Sequence, residues 1–189
     1  MTTDPRAEQH VREFTRACVR AGLLSSDELH GEVAEAIRTE LPDRAAEADE
    51  LATVWLEEAH VELRADQQQW PESTDYERLQ SAFAEMELLD ISVLQGCEDH
   101  WVAKRLLDER SAAGVTPRGV AWFTPADVWH AVDEGMLEVN LWHGTTANAA
   151  PGDGLLYDVL GILEKHGMRA HFDEGRIEID AHWQKRIAT

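Results

Sequence analysis

The apolar residues of this chain change their spacing once, near Asp90, and that change limits the folds open to it. Up to Asp90 they return every three or four positions, the period of a helix buried along one side. Beyond it they alternate or bunch into short runs, as strand residues do. Such a division predicts an α+β protein, with acidic helices first and then a small mixed sheet in the order β-α-β-α-β-α-β-β, ending in a hairpin. The 189 residues, 43% of them hydrophobic and seven of them Trp, supply enough apolar surface for a folded core. Trp70-Pro71 separates a helical layer, 1–69, from an α+β domain, 70–189, and the two are expected to form one compact unit.

The front half is well punctuated. Thr3-Asp4-Pro5 opens a first helix with Val11, Phe14, Cys18, Val19 and Leu23 on its apolar side and Gly22 at a C-cap position. Ser25-x-x-Glu28 is a capping box for a second, which carries Leu29, Val33 and Ile37 and stops before Pro42. A third places Leu51, Trp55, Ala59 and Leu63 at i, i+4 steps, with Val54 and Val61 alongside and an acidic opposite face. Thr74-x-x-Glu77 boxes a fourth, which buries Leu79, Ala82, Phe83 and Met86.

Past Asp90, Ile91-Ser-Val-Leu94 and Gly119-Val-Ala-Trp-Phe123 read as strands around a helix that carries Trp101, Leu106 and Leu107 and ends near Gly114. Thr124 and Pro125 open the next helix as N-cap and first residue. Leu137, Val139 and Leu141 alternate with Glu138, Asn140 and Trp142, the pattern of a half-buried strand. A helix with Leu155, Leu156, Val159, Leu160 and Leu163 follows, closed by Gly167. The hairpin is Met168 to Phe172, a turn at Asp173-Glu-Gly175, and Arg176 to Trp183, with Ile177 and Ile179 inward.

Composition bears on function through charge. Thirty-seven acidic residues against seventeen basic ones give a formal charge of −20, and residues 1–90 hold 22 of the acids and 8 of the bases. That field disfavours direct binding to nucleic acid or to an anionic membrane and favours a basic protein partner. Cys18 and Cys97 form neither a disulfide framework nor a zinc-ligand pair. The start, Met1-Thr-Thr-Asp-Pro5, has no leader pattern, and no run of about 18 apolar residues occurs. A soluble, cytoplasmic protein is expected.

Two stretches resemble a functionally uncharacterised bacterial domain family. One is Trp70-Pro71 with Thr74-Asp75-Tyr-Glu-Arg78-Leu79 and Ala82-Phe83; the other runs from Gly119-Val-Ala-Trp-Phe123 through Asp127, Gly135, Leu137 and Leu141 to Gly144. With the closing hairpin and Trp183, the resemblance spans about residues 70–186. The family pattern has a cysteine-rich turn where this chain keeps only Cys97, and a His where it has Thr124, with Asp127 retained. The resemblance implies no reaction.

Three groups of residues invite a chemical reading. Cys97-Glu-Asp-His100 falls between a strand and a helix, where a helix N-terminus can lower a thiol pKa, yet one Cys and one His make at most half a zinc site. The same residues also suit a turn and cap. Acid-x-x-His pairs at Asp27/His30, Glu57/His60 and Asp127/His130 lack the further Glu ligands of a di-iron bundle. Trp142-His143, His182-Trp183 and the nearby Trp122 and Trp129 could line a pocket at one end of the sheet or could simply pack and solvate. Glycine-rich phosphate loops and hydrolase motifs are missing from the sequence.

The reading is therefore an acidic protein-binding module, of immunity or inhibitory type, that neutralises a basic partner. Its contact residues are Glu47, Asp49, Glu50, Glu57, Glu58, Glu62, Asp66, Glu72, Asp75 and Glu77. The alternative is a small-ligand, metal-binding or enzyme module using Cys97, His100, Asp127, Trp142, His143 and His182. No catalytic residue, metal ligand or cofactor is assigned, and the oligomeric state is left open.

Overall fold

The computed structural model describes residues 4–188. Thr3, part of the expected helix start, lies outside them. Among the described residues there are seven α-helices and one five-stranded mixed sheet, an α+β fold. The chain divides into two compact units, Met1–Pro71 with Lys185–Thr189, and Glu72–Gln184.

The first unit holds α1 (Pro5–Ala21), α2 (Ser26–Glu40), a 3-10 helix (Pro42–Glu47) and α3 (Ala48–Gln67). Asp4 caps α1 by accepting the Arg6 N–H, and Gly22 ends it in the left-handed conformation. Ser25 and Glu28 form the complete capping box of α2, whose carboxyl sits below its usual pKa because the Ser25 hydroxyl and N–H donate to it. Val11, Thr15, Cys18 and Val19 pack with Leu29, Val33 and Ile37 and with Ala52, Trp55, Ala59 and Leu63 as the unit's core. The expected stripe of α3 is corrected at two points. Val54 and Val61 are 45% and 55% exposed, because at about 100° per residue both fall off the Trp55–Ala59–Leu63 line. Leu51 is only half-buried, and Ala52 and Leu56 are buried beside the line instead. The 3-10 helix, opened by Pro42, had no clear signal in the sequence.

The second unit contains α4 (Asp75–Leu88), β1 (Ile91–Leu94), α5 (His100–Ala112), β2 (Gly119–Trp122), α6 (Pro125–Asp133), β3 (Met136–His143), α7 (Gly154–Lys165), β4 (Arg169–Asp173) and β5 (Arg176–Asp180). The sheet order is β1-β2-β3-β5-β4; β1 and β2 are parallel and every other pair is antiparallel. Register sets the faces. Ile91, Ala121, Leu137, Val139, Leu141, Ile177 and Ile179 share one face, with α4 and α7 packed on that side. Leu94, Val120, Trp122 and Trp142 share the other, where Ala103 and Leu107 of α5 cover them. Farther along that second face Arg176 pairs with Glu138 at 2.6 Å and His171 lies 3.4 Å from Glu178, so the sheet turns polar where α5 stops.

Two expectations are corrected here. Trp101 is 58% exposed, since Asp99 caps α5 and Ala103 and Leu107, one turn apart, make the buried contact. The last strand ends at Asp180 rather than Trp183. Ala181 N–H donates to Gly135 O at 2.9 Å and Trp183 N–H to Ala131 O at 3.0 Å, so these residues bond to the corner between α6 and β3. Trp183 is buried there against Tyr76 and Phe123.

Candidate functional site

The acids of α3 meet a matching row of bases. Arg12, Arg16 and Arg20 stand one turn apart on α1, as Glu58, Glu62 and Asp66 do on α3. They pair rung by rung: Arg12 to Glu58 at 2.6 Å, Arg16 to Glu62 at 2.7 Å, and Arg20 to Asp66. Because both rows advance together, α1 and α3 run parallel. The Glu62 hydrogen bond raises the Arg16 pKa further. Arg12 also lies over the Trp55 ring, 4.4 Å from its centroid. Of the other acids expected as contacts in this unit, Glu47 pairs with Arg44 at 3.0 Å and Asp49 with Arg38 at 2.8 Å, while Glu50 and Glu57 are exposed and have no ion pair among the described residues. In the second unit Asp75 pairs with Arg78 and accepts the His182 N–H at 3.0 Å, Glu77 completes the α4 capping box, and Glu72 is exposed.

Carboxylates less fully matched to bases stand on α2. Glu32, Glu35 and Glu40 border a cleft of about 280 Å³ between α1 and α2, with Val11, Phe14 and Ala36 as apolar lining and His10 and Thr39 completing it. Among the described residues Glu32 and Glu40 have no ion pair, and Glu35 has only Arg38 at 3.6 Å, which holds Asp49 more closely. On α1 Cys18 is buried, and its pKa is pushed up to about 12 by that burial, with the Glu32 charge adding to it. It stays a thiol. An apolar lining with an acidic rim suits the alkyl stem and cationic head of Lys or Arg. The sequence signal was available, since this stretch of α2 has several acids and Arg38 as its one base, but the acids of α3 were more numerous.

The second set of candidates is brought together only in part. His100 stacks on Trp101 at 4.6 Å and lies 6.4 Å from Trp142, which packs edge-on to Trp122 at 5.2 Å. Cys97 packs at the margin of this cluster, and its thiol donates to Phe123 O at 3.6 Å. Its pKa is raised, first by burial and then by the charges of Asp99 and Asp127, against a lowering backbone hydrogen bond. The helix N-terminus does not lower this thiol, which packs in the turn ahead of α5. Asp127 is buried as the reciprocal partner of Thr124 in the α6 capping box. His143 lies 2.9 Å from Asp153, whose carboxyl is held below its usual pKa by that bond and by the Ala150 N–H. His182 packs its ring against Gly135. The Trp122 indole N–H is buried without an acceptor among the described residues, a feature the sequence could not reveal. Among the described residues no group of three or more His, Cys, Asp or Glu is placed to hold a metal ion, and no helix is long and apolar enough to cross a membrane.

Fold and surfaces together define an acidic α+β protein with a helical unit and a mixed-sheet unit. The chain belongs to the family described as Domain of unknown function (DUF6891), whose model matches residues 4–187. The match extends the resemblance seen over residues 70–186 through the helices of the first unit. No curated protein and no solved structure gives a significant match.

Proposed function

We propose that this protein acts in the cytoplasm by binding a basic protein partner, and that the helical unit takes Lys or Arg side chains of that partner into the cleft between α1 and α2. One observation carries the reading: Arg12, Arg16 and Arg20 answer the acids of α3 within the chain, whereas Glu32 and Glu40, beside an apolar lining, have no such partner among the described residues. Occupying the basic surface of a nuclease or toxin in this way would be inhibitory, and opposite charge would speed the encounter. Neither nucleic acid nor membrane fits as the direct ligand of such a field.

Affinity capture at low and high salt, comparing the wild type with Glu32→Gln/Glu35→Gln/Glu40→Gln, tests this. A basic protein retained by the wild type at low salt and lost from the triple variant is the expected result. Equal retention by both proteins rejects the cleft, and a partner without excess positive charge rejects the class. A second reading, a small aromatic or cationic ligand at Trp122, Trp142 and His100, draws support from the buried Trp122 N–H, which has no acceptor among the described residues. Ligand-dependent quenching of Trp fluorescence that Trp142→Phe removes would favour it.

A further inference from the structure

The outer strand of the sheet is open and self-complementary. β4 is an edge strand, and its sequence, Arg169-Ala-His171-Phe-Asp173, contains neither Pro nor Lys to blunt pairing. Glu174 and Gly175, both at positive φ, form the two-residue turn into β5, so the flanking pair Asp173 and Arg176 is hydrogen-bonded. Hydrogen-bonded rungs to β5 therefore recur at His171 and Arg169. The N–H and C=O groups of Ala170 and Phe172 consequently point to the free edge.

An antiparallel partner centred on His171 meets those groups in register when it is a second β4. Ala170 of each copy then falls opposite Phe172 of the other as a hydrogen-bonded pair, and Arg169 falls opposite Asp173 as a closer, non-hydrogen-bonded pair. Both charges are available. The Arg169 side chain is 88% exposed and, among the described residues, pairs only with Asp180, at 2.8 Å, while Asp173 is exposed with no ion pair among them. An edge has to match itself under a two-fold axis for such pairing, and this one does in charge and in hydrogen-bond parity alike.

A strand edge alone buries too little area for a stable dimer. The helix beside it supplies more. Tyr157, Leu160, Gly161 and Glu164 form an i, i+3, i+4, i+7 stripe on α7 that lines a groove of about 480 Å³ with Met168, Arg169 and Ala170. Tyr157 is 60% exposed, and nothing lies within 4 Å of a Cβ placed at Gly161, so a neighbouring helix can approach closely. We propose that this chain forms a two-fold dimer through β4, joining the two sheets edge to edge, with Arg169 of each copy against Asp173 of the other and the α7 stripes facing across the axis. This surface belongs to the second unit and is independent of the cleft between α1 and α2.

Sedimentation of the full chain tests it. The wild type is expected to reach twice the monomer mass as concentration rises. Arg169→Asp and Asp173→Arg, each placing like charges across the axis, should weaken self-association about tenfold or more. Far-ultraviolet circular dichroism should stay unchanged, because both side chains are at the surface. Mixing the two variants restores opposite charges on both rungs, and a heterodimer forming where neither variant dimerises alone is the decisive positive. A second probe is Ala170→Pro, which removes an edge N–H that β5 does not use and should abolish the dimer. A wild type that stays monomeric at the highest concentration attained overturns the proposal. So does a dimer that survives both charge reversals, or a mixture that fails to associate.

Discussion

At Gly144 the backbone leaves no room for a side chain. A Cβ there would lie 1.9 Å from the carbonyl oxygen of Pro117, and the Gly144 N–H donates to Arg118 O at 3.2 Å. Relief requires moving a backbone segment rather than a rotamer, so Gly144→Ala should cost about 1–3 kcal/mol in stability. Gly31 is the opposite case. It lies within α2, exposed, with nothing within 4 Å of a Cβ. Gly31→Ala should therefore gain about 0.5–1 kcal/mol through helix propensity alone. Urea unfolding of both variants checks the pair, and opposite signs are expected. A loss at both positions would mean that the helix surface at Gly31 is not open.

Among the elements, the ladder between α1 and α3 combines two kinds of interaction. Arg16 and Glu62 are an exposed pair, and a double-mutant cycle on them should return about 0.2–1 kcal/mol, falling as salt is added. Arg12 adds a guanidinium over the buried Trp55 ring, a contact worth about 0.5–2 kcal/mol between exposed and desolvated settings. Arg12→Ala should accordingly destabilise more than Arg16→Ala, and the excess should persist in high salt, because the ring contact is short-ranged. Thermal melts at two salt concentrations measure this, and equal losses would reject the stacking contribution. The two halves of this ladder also mark what a sequence can show. The first four α-helices were legible from local signals: capping boxes at Ser25/Glu28 and Thr74/Glu77, the stripe through Trp55, Ala59 and Leu63, and Gly22 past the first helix. The pairing of Arg12 with Glu58 joins residues 46 positions apart, and no local pattern encodes it. The strand order and the exposed position of Trp101 were hidden for the same reason. The acidic character of the candidate surface was plain in the sequence; which acids lacked a base inside the chain depended on tertiary contacts.

For the molecule as a whole, the path of the chain couples its two ends. After leaving the helical unit at Pro71 it builds the sheet unit and then returns, and Lys185–Thr189 belong to the first unit again. That return completes the end of α3. Gln67 is 8% exposed, its side-chain oxygen accepts the Ile187 N–H at 2.6 Å, and its amide donates to Ile187 O at 3.4 Å. Lys185 donates to Gly22 O at 2.5 Å, satisfying a carbonyl at the C-cap of α1, and Arg186 donates to Pro71 O at 2.5 Å while lying 5.9 Å from the Trp70 ring centroid. Removing residues 185–189 would leave the Gln67 amide buried without these partners, a cost of about 1–3 kcal/mol before the lost packing is counted. The loss should also be local. Hydrogen exchange is expected to accelerate at the amides of α1 and of the last turns of α3, with the amides shared by β3 and β5 unchanged. Protection lost equally from the sheet would show that the C-terminal segment stabilises the molecule as one cooperative body rather than by closing the helical unit.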